Sequence, residues 1–263
     1  MTMNRIALGL EYDGTAFRGW QTQAHAISIQ AAVEQALSFV ANHPVAVTAA
    51  GRTDAGVHAA MQIVHFDTEA LRSERSWVLG ANSNLPESVS ALWARVVPDT
   101  FHARYSATAR SYRYFILNRG ARAALARHNV CWIKEPLDHE RMQLAAQALL
   151  GEHDFTSFRA AECQSRTPMR RVHAISVERR GELIELGITA NAFLHHMVRN
   201  IAGVLIAVGQ GKQPPEWVAQ VLAAKDRTCA GITAPASGLY LAAVRYDPSL
   251  QLPSEARALA PLA

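Results

Sequence analysis

The chain has 263 residues, 49% of them hydrophobic and 18% charged, which buries a core easily and excludes a disordered or low-complexity polypeptide. Its net charge is +4, from 26 Lys and Arg against 22 Asp and Glu, so it favours an anionic partner only where the basic residues cluster. Cys131, Cys163 and Cys229 lie far apart without C-x-x-C spacing, which argues against a disulfide framework or a cysteine zinc site and fits a reducing compartment.

Ile6, Leu8, Leu10 and Tyr12 alternate with Arg5, Ala7, Gly9 and Glu11, a period of two that predicts a strand stopped by Asp13-Gly14. The five-residue apolar run before Glu11 and Asp13 is no signal peptide. Ser28 caps a helix to about Ala41 through Ile29, Val33, Leu37 and Val40, and Asn42-His43-Pro44 ends it. Val45, Val47 and Ala49 predict a second strand, and the loop Gly51–Gly56 follows. Gln62–Asp67 reads as a strand, Arg72 to about Ala81 as a helix and Ala91–Val97 as a strand, giving β-α-β-β-α-β.

The second half repeats this order with one extra helix. Ser111–Leu117 reads as a strand, and Asp138 caps a helix that ends before Gly151. Val172–Val177 and Leu183–Ile188 form a hairpin about Arg180-Gly181. Phe193–Val208 and Pro215 to about Ala224 are helices, and Gly238–Tyr246 is a last strand. The fold expected is α+β: residues 1–107 and 108–250 as two related domains, with 251–263 as a tail that frays after Pro253. The longest apolar runs, such as Ile201–Val208, fall far short of the ~20 residues a membrane span needs. A soluble, cytoplasmic protein is expected.

The basic residues do cluster. Thr100–Lys134 contains no Asp or Glu and carries Arg104, Arg110, Arg113, Arg119, Arg122, Arg127 and Lys134. Aromatics interleave them: Phe101, His102, Tyr105, Tyr112, Tyr114 and Phe115. Arginines on phosphates and rings on unstacked bases hold single-stranded or loop RNA, although alternate residues of any strand here must face a core. A second basic segment, Arg159–Arg171, holds Gln164, Arg166, Arg170 and Arg171 in an irregular loop.

Two constellations carry candidate chemistry. Gly51-Arg52-Thr53-Asp54-Ala55-Gly56-Val57-His58 brackets an Arg and an Asp with glycines after a strand. An adjacent Arg keeps a carboxylate ionised or binds phosphate; an ordinary Asx turn with a surface ion pair has the same spacing. In Phe193–Asn200, helical spacing pairs His195 with Arg199 and His196 with Asn200. A cation on a mostly buried helix calls for a carboxylate partner. No carboxylate completes a ligand set for the paired histidines, so no metal is expected there.

With these motifs in place, the chain resembles the bacterial tRNA pseudouridine synthase A family over nearly its whole length. The resemblance rests on Tyr12-Asp13-Gly14-Thr15, Gly19-Trp20-Gln21, Gly51–Ala59, Asn84-Leu85-Pro86, Phe101-His102-Ala103-Arg104 and Tyr112-Arg113-Tyr114. In the second half it continues through Gly151–Phe155, Phe193–Asn200 and Ala234–Leu241. Ala50 and Ile232 depart from the pattern, away from the reactive positions. The resemblance implies isomerisation of uridine to pseudouridine at positions 38 to 40 of the tRNA anticodon stem-loop, without cofactor or metal. It implies two domains, each an antiparallel sheet with helices on one face, meeting at a basic cleft. It also implies a homodimer with tRNA as partner. Asp54 takes the place of the essential carboxylate, Arg199 that of its paired cation and Arg52 that of the loop arginine. Tyr112 is the active-site tyrosine, and Leu239 either packs under the base or belongs to the core. Phe101, His102, Arg104, Tyr105, Arg110, Gln164, Arg166 and Arg170 are the RNA contacts expected.

Two rival readings make different predictions. Asp54, His58, His65 and Asp67 are the right ligand types for a metal-assisted hydrolase, which a chelator would stop. A non-catalytic RNA-binding module would bind tRNA equally well with or without the Asp54 carboxylate.

Overall fold

The computed structural model describes residues 3–23 and 25–253; the tail expected beyond Pro253 lies outside them. In chain order the strands and α-helices are β1 (Asn4–Tyr12), α1 (Ile29–Ala41), β2 (Thr48–Ala49), β3 (His58–Thr68), α2 (Glu74–Asn82), β4 (Val89–Val97), β5 (Ala109–Asn118), β6 (Cys131–Ile133), α3 (His139–Ala146), β7 (Gly151–Asp154), β8 (Met169–Arg180), β9 (Leu183–Ala190), α4 (Met197–Gly209), α5 (Trp217–Ala224) and β10 (Leu239–Arg245). The chain divides into two compact units. The first runs to Thr108 and takes in the chain again from Leu241; the second runs from Ala109 to Tyr240. Among the described residues, no helix is long and apolar enough to cross a membrane.

The first unit follows β-α-β-β-α-β. β1 lies antiparallel between β3 and β4, with Leu8 opposite Val64 on one side and Ala94 on the other. Both faces of β1 are buried at its centre, Ala7 as well as Ile6 and Leu8. A half-buried antiparallel strand leaves one face to solvent. The Trp93 indole lies over Gly9 instead, where a Cβ would come within 2.3 Å of its ring. α1 starts at its cap, with the Ala31 amide donating to Ser28 Oγ at 3.2 Å. It ends at Asn42 in the left-handed region, as local cap chemistry dictates. Its buried stripe is Ile29, Val33, Ala36, Leu37 and Ala41. α2 seats Trp77 edge-on against Phe66 in β3, with centroids 5.0 Å apart.

β2 is shorter than the strand expected over 45–49. The Val45 amide donates to Ser38 Oγ at 2.9 Å and the Val47 amide to Glu34 Oε1 at 3.0 Å. Both acceptors belong to α1, so these amides are withdrawn from any strand ladder.

In the second unit β5, β9, β8 and β7 are neighbours in that order and antiparallel, with β6 parallel to β5. β6 and β7 are too short to carry a readable period. The β8–β9 hairpin turns at Gly181, with φ +61°. α3 is capped by Asp138, whose Oδ1 accepts the Arg141 amide at 3.0 Å. α4 is buried on nearly all sides and passes so close to the 231–234 segment that a Cβ on Gly203 would lie 2.0 Å from the Ile232 carbonyl oxygen.

The last strand was expected to complete the second half. From Leu241 onward it belongs to the first unit, with β10 beside β3. Tyr246 Oη donates to the Ala103 carbonyl at 2.7 Å, and its ring meets Phe101 at 5.1 Å.

His65 in β3 is 6% exposed, with Nδ1 accepting the Ala103 amide at 3.1 Å. Burial, then the charges of Arg5 and His102, pull it from 6.5 down to about 4, against Asp67. Between these values the unfolded chain binds a proton that the folded chain does not. The stabilisation is therefore complete above pH 6.5 and lost as pH falls toward about 4. His65→Gln keeps an acceptor and is expected to remove about 3 kcal/mol of this acid sensitivity. Urea unfolding at neutral and acidic pH measures the difference, and identical pH slopes for the two proteins would contradict it.

Candidate active site

The Asp54 loop joins the end of β2 to β3 and is held from beneath and from outside. Beneath it, Gln62 Nε2 donates to the Gly51 carbonyl at 2.7 Å, and Tyr12 Oη shares a 2.8 Å hydrogen bond with Thr53 Oγ1. Burial pushes the Tyr12 phenol up to about 12, against its hydrogen bonds to Thr53 and Gln62. Tyr12 therefore stays a neutral fixed post in this buried chain. Outside, the Trp20 amide donates to the Thr53 carbonyl at 3.0 Å.

Two glycines allow this approach. Gly19, at φ +93°, would place a Cβ 2.9 Å from the Thr53 oxygen, and a Cβ on Gly14 would lie 2.0 Å from the Val57 oxygen. The Val57 amide closes the turn on the Asp54 carbonyl at 3.1 Å, and Gly56 takes φ +75°. Thr53 is thus buried, while Asp54 is partly exposed and Arg52 exposed. A carboxylate is presented on a backbone that cannot easily move, the condition for positioned acid, base or nucleophile chemistry.

Asp13 shares this neighbourhood. Burial raises its carboxyl, but the Thr15 hydroxyl and amide, at 2.5 and 2.9 Å, together with His58 bring it below the usual value. Three of the residues of the metal reading, His58, His65 and Asp67, are engaged locally. His58 Nδ1 lies 3.1 Å from both the Gly14 amide nitrogen and Asp13 Oδ1. His65 accepts the Ala103 amide, and Asp67 pairs with Arg5 at 2.7 Å.

In the second unit, β5, the entry to α4 and the 231–239 segment converge. Tyr112 sits opposite Ile188 in β9 and meets Phe193 edge-on at 4.9 Å. Tyr114, two residues along β5, donates its hydroxyl to the Pro235 carbonyl at 2.8 Å. Arg199 Nε donates to the Ala234 carbonyl at 2.9 Å, and the Ala234 amide donates back to the Arg199 carbonyl at 3.1 Å. The guanidinium is partly exposed, and Leu239 is 5% exposed.

α4 begins at Met197 rather than Phe193, because His196 adopts φ +60°. The helical pairing of His195 with Arg199 is therefore absent: His195 lies before the helix, and its ring rests 4.0 Å from that of His196. Asn200 is fully buried. Its Nδ2 donates to the Phe158 carbonyl at 2.8 Å, and its Oδ1 accepts from Arg227 and Thr233 at 3.0 and 2.7 Å.

The expected RNA contacts separate by burial. Phe101 is 2% exposed and packs in the first unit's core. Arg110 and Arg170 are 9% and 8% exposed. Arg110 donates to the Asn191 carbonyl, while Arg170 donates to the Thr167 carbonyl and Ser165 Oγ. These three are buried. Gln164, Arg166, Arg104 and Tyr105 are exposed, and His102 is partly so. Gly14, Gly19 and the Tyr12–Thr53–Gln62 chain received no role from sequence reasoning. The paired motifs Tyr12–Thr15 and Gly19–Gln21 were their available signal.

The model of the tRNA pseudouridine synthase family matches residues 10–106 and 145–247, the two stretches that hold all these elements of the site except β5. The chain belongs to the tRNA pseudouridine synthase family. Curated relatives named tRNA pseudouridine synthase A are similar over almost the full length. The protein from Methylococcus capsulatus is 60% identical, over 96% of this chain and 93% of its own. That from Nitrosococcus oceani is 57% identical over 96% and 98%. That from Coxiella burnetii is 57% identical over 95% and 96%. A chain from a solved Cbf5-Nop10-Gar1 complex covers 76% of this chain, over 45% of its own length, at 12% identity and a TM-score of 0.32, too distant to inform the geometry. A tRNA pseudouridine synthase is an isomerase, exchanging the N1–C1′ bond of uridine for a C5–C1′ bond.

Proposed function

We propose that this enzyme isomerises uridine at positions 38, 39 and 40 of the tRNA anticodon stem-loop, with Asp54 as the reacting carboxylate. The observation that carries this reading is the Asp54 loop, gripped through Thr53 and Val57 while Asp54 itself stays partly exposed. The target uridine leaves its stack at a cost of about a few kcal/mol. The N1–C1′ bond breaks, the base turns and C5 bonds to C1′; the proton on C5 then leaves and N1 gains one, so atoms balance. An ionised carboxylate serves this chemistry at the sugar or at the base.

Arg199 serves the reaction as its cation, and Arg52 holds the strained RNA backbone. Tyr112 lies against the base and Leu239 packs beneath it. The exposed Arg104, Arg166 and Gln164 take up phosphates, and the working form is a homodimer on tRNA. Full-length and sequence-wide similarity to proteins named tRNA pseudouridine synthase A supports this reading.

The test uses transcripts with a single 5-tritiated uridine at position 38, 39 or 40, or at a distant stem position, in EDTA-containing buffer. Tritium release is expected from the first three only. Release from the stem position alone would refute the anticodon assignment, and inhibition by EDTA would favour the metal reading.

A further inference from the structure

Arg199 sits in the first turn of α4, and a neighbouring segment sets the direction of its side chain. Nε donates to the Ala234 carbonyl at 2.9 Å, and the Ala234 amide returns a bond to the Arg199 carbonyl at 3.1 Å. Where Ala234 lies, the guanidinium follows. Residues 231–235 belong to no helix or strand, so no ladder fixes their path.

Three side chains fix it instead. Thr233 Oγ1 donates to Asn200 Oδ1 at 2.7 Å. Arg227 Nη2 donates to both of these oxygens, at 2.9 Å to Thr233 and 3.0 Å to Asn200, which closes a triangle. Arg227 Nη1 holds the Gly231 carbonyl at 2.9 Å. Asn200 Nδ2 donates to the Phe158 carbonyl at 2.8 Å, anchoring the triangle to the turn Thr156–Phe158. The partners settle the orientation of the Asn200 amide, because a guanidinium only donates and a carbonyl only accepts.

The places of these residues in the chain matter. Asn200 follows Arg199 and Thr233 precedes Ala234. The 2.7 Å bond therefore lies one residue away, on each side, from the paired bonds of Arg199 and Ala234. Asn200 is fully buried, and a buried polar network whose members are satisfied specifies one arrangement.

We propose that Asn200, Thr233 and Arg227 are positioning residues for the reaction, which aim the Arg199 guanidinium by fixing the Ala234 carbonyl that it meets. This rests on the reading that Arg199 is the reaction's cation. The effect of the three on the reaction passes through Arg199.

The test is a pair of double-mutant cycles, measuring kcat, tRNA KM and thermal unfolding on the same preparations. Thr233→Val keeps the shape and removes both bonds of the hydroxyl. Arg227→Lys keeps the charge and loses the fork. Each is expected to lower kcat by about 10- to 100-fold with KM within about threefold, the scale of a displacement of about 1 Å at a positioned group. Thr233→Ser restores the hydroxyl and should stay within about threefold of wild-type kcat. Arg199→Lys keeps a cation, has no Nε to meet Ala234, and should lower kcat. In that background Thr233→Val and Arg227→Lys should each cost less than about twofold more, because groups that act through one another are not additive.

Additive losses overturn the proposal, and so does wild-type kcat in folded Thr233→Val, Arg227→Lys or Arg199→Lys. Thr233→Ser failing as badly as Thr233→Val overturns it too. If Thr233→Val does not fold, Arg227→Lys, a change at a partly exposed side chain, carries the same cycle. Wild-type kcat in Arg199→Ala would instead refute the reading of Arg199 as the reaction's cation.

Discussion

Asp54→Asn is expected to bind tRNA with unchanged affinity and to lose conversion by on the order of 10³-fold or more. The amide matches the carboxylate in size but carries no charge and is a poor nucleophile. The anchors of the loop do not involve this side chain. Thr53 is tied to Tyr12, Gly51 to Gln62 and the Thr53 carbonyl to Trp20, so thermal unfolding of the variant should match wild type. Tritium release and filter binding on the same preparations measure the two properties separately. Conversion retained above about a tenth of wild type would remove Asp54 from the chemistry. Loss of binding in step with conversion would make it an RNA contact.

Gly14→Ala is expected to damage the reaction nearly as severely from a residue that touches no substrate. The new methyl would lie 2.0 Å from the Val57 oxygen and 2.7 Å from its carbonyl carbon, both backbone atoms. The loop must move by about an ångström, a misplacement that costs about 10²-fold in kcat, with a stability loss of about 1–3 kcal/mol. KM for tRNA should change less than kcat, because Arg52 is the one proposed RNA-backbone contact on this loop. Gly120, where a Cβ meets nothing within 4 Å, is the control: Gly120→Ala should stay within about 0.5 kcal/mol of wild type. Wild-type kcat in a folded Gly14→Ala protein would show that the loop accommodates the methyl without moving Asp54.

Both expectations depend on residues that differ in how visible they are in the sequence. Asp54 stands between two glycines after a strand, a local signal. Gly14 stands in a strand-terminating Asp-Gly, and nothing in that dipeptide says that Val57 lies against it. The same contrast runs through the fold. Ser28 and the Ile29–Ala41 stripe define α1, because cap and period are properties of neighbours in the chain. Capped by Ser73, α2 begins at Glu74, two residues after the expected Arg72, by the same cap chemistry. The strand expected over 45–49 fails because Glu34 and Ser38 of α1 take the Val45 and Val47 amides. The start of α4 shifts because His196 is held left-handed, which no helical period encodes.

The basic, aromatic stretch shows the limit most directly. Phe101 and Tyr105 belong to one basic, aromatic stretch and read alike as possible base contacts. In the folded chain Phe101 is enclosed with Tyr246 and His65, while Tyr105 is exposed. By itself the sequence determined the α+β class, the order and caps of most elements, the family and the candidate Asp54 loop, since these depend on residues close in the chain or on motifs in fixed order. Only the tertiary structure decided which arginines are buried structural donors, which aromatics face solvent, and how Gly14 and Gly19 hold Asp54 in place. Those are outcomes of packing between segments far apart in sequence, where excluded volume and the competition for backbone hydrogen bonds override local preference.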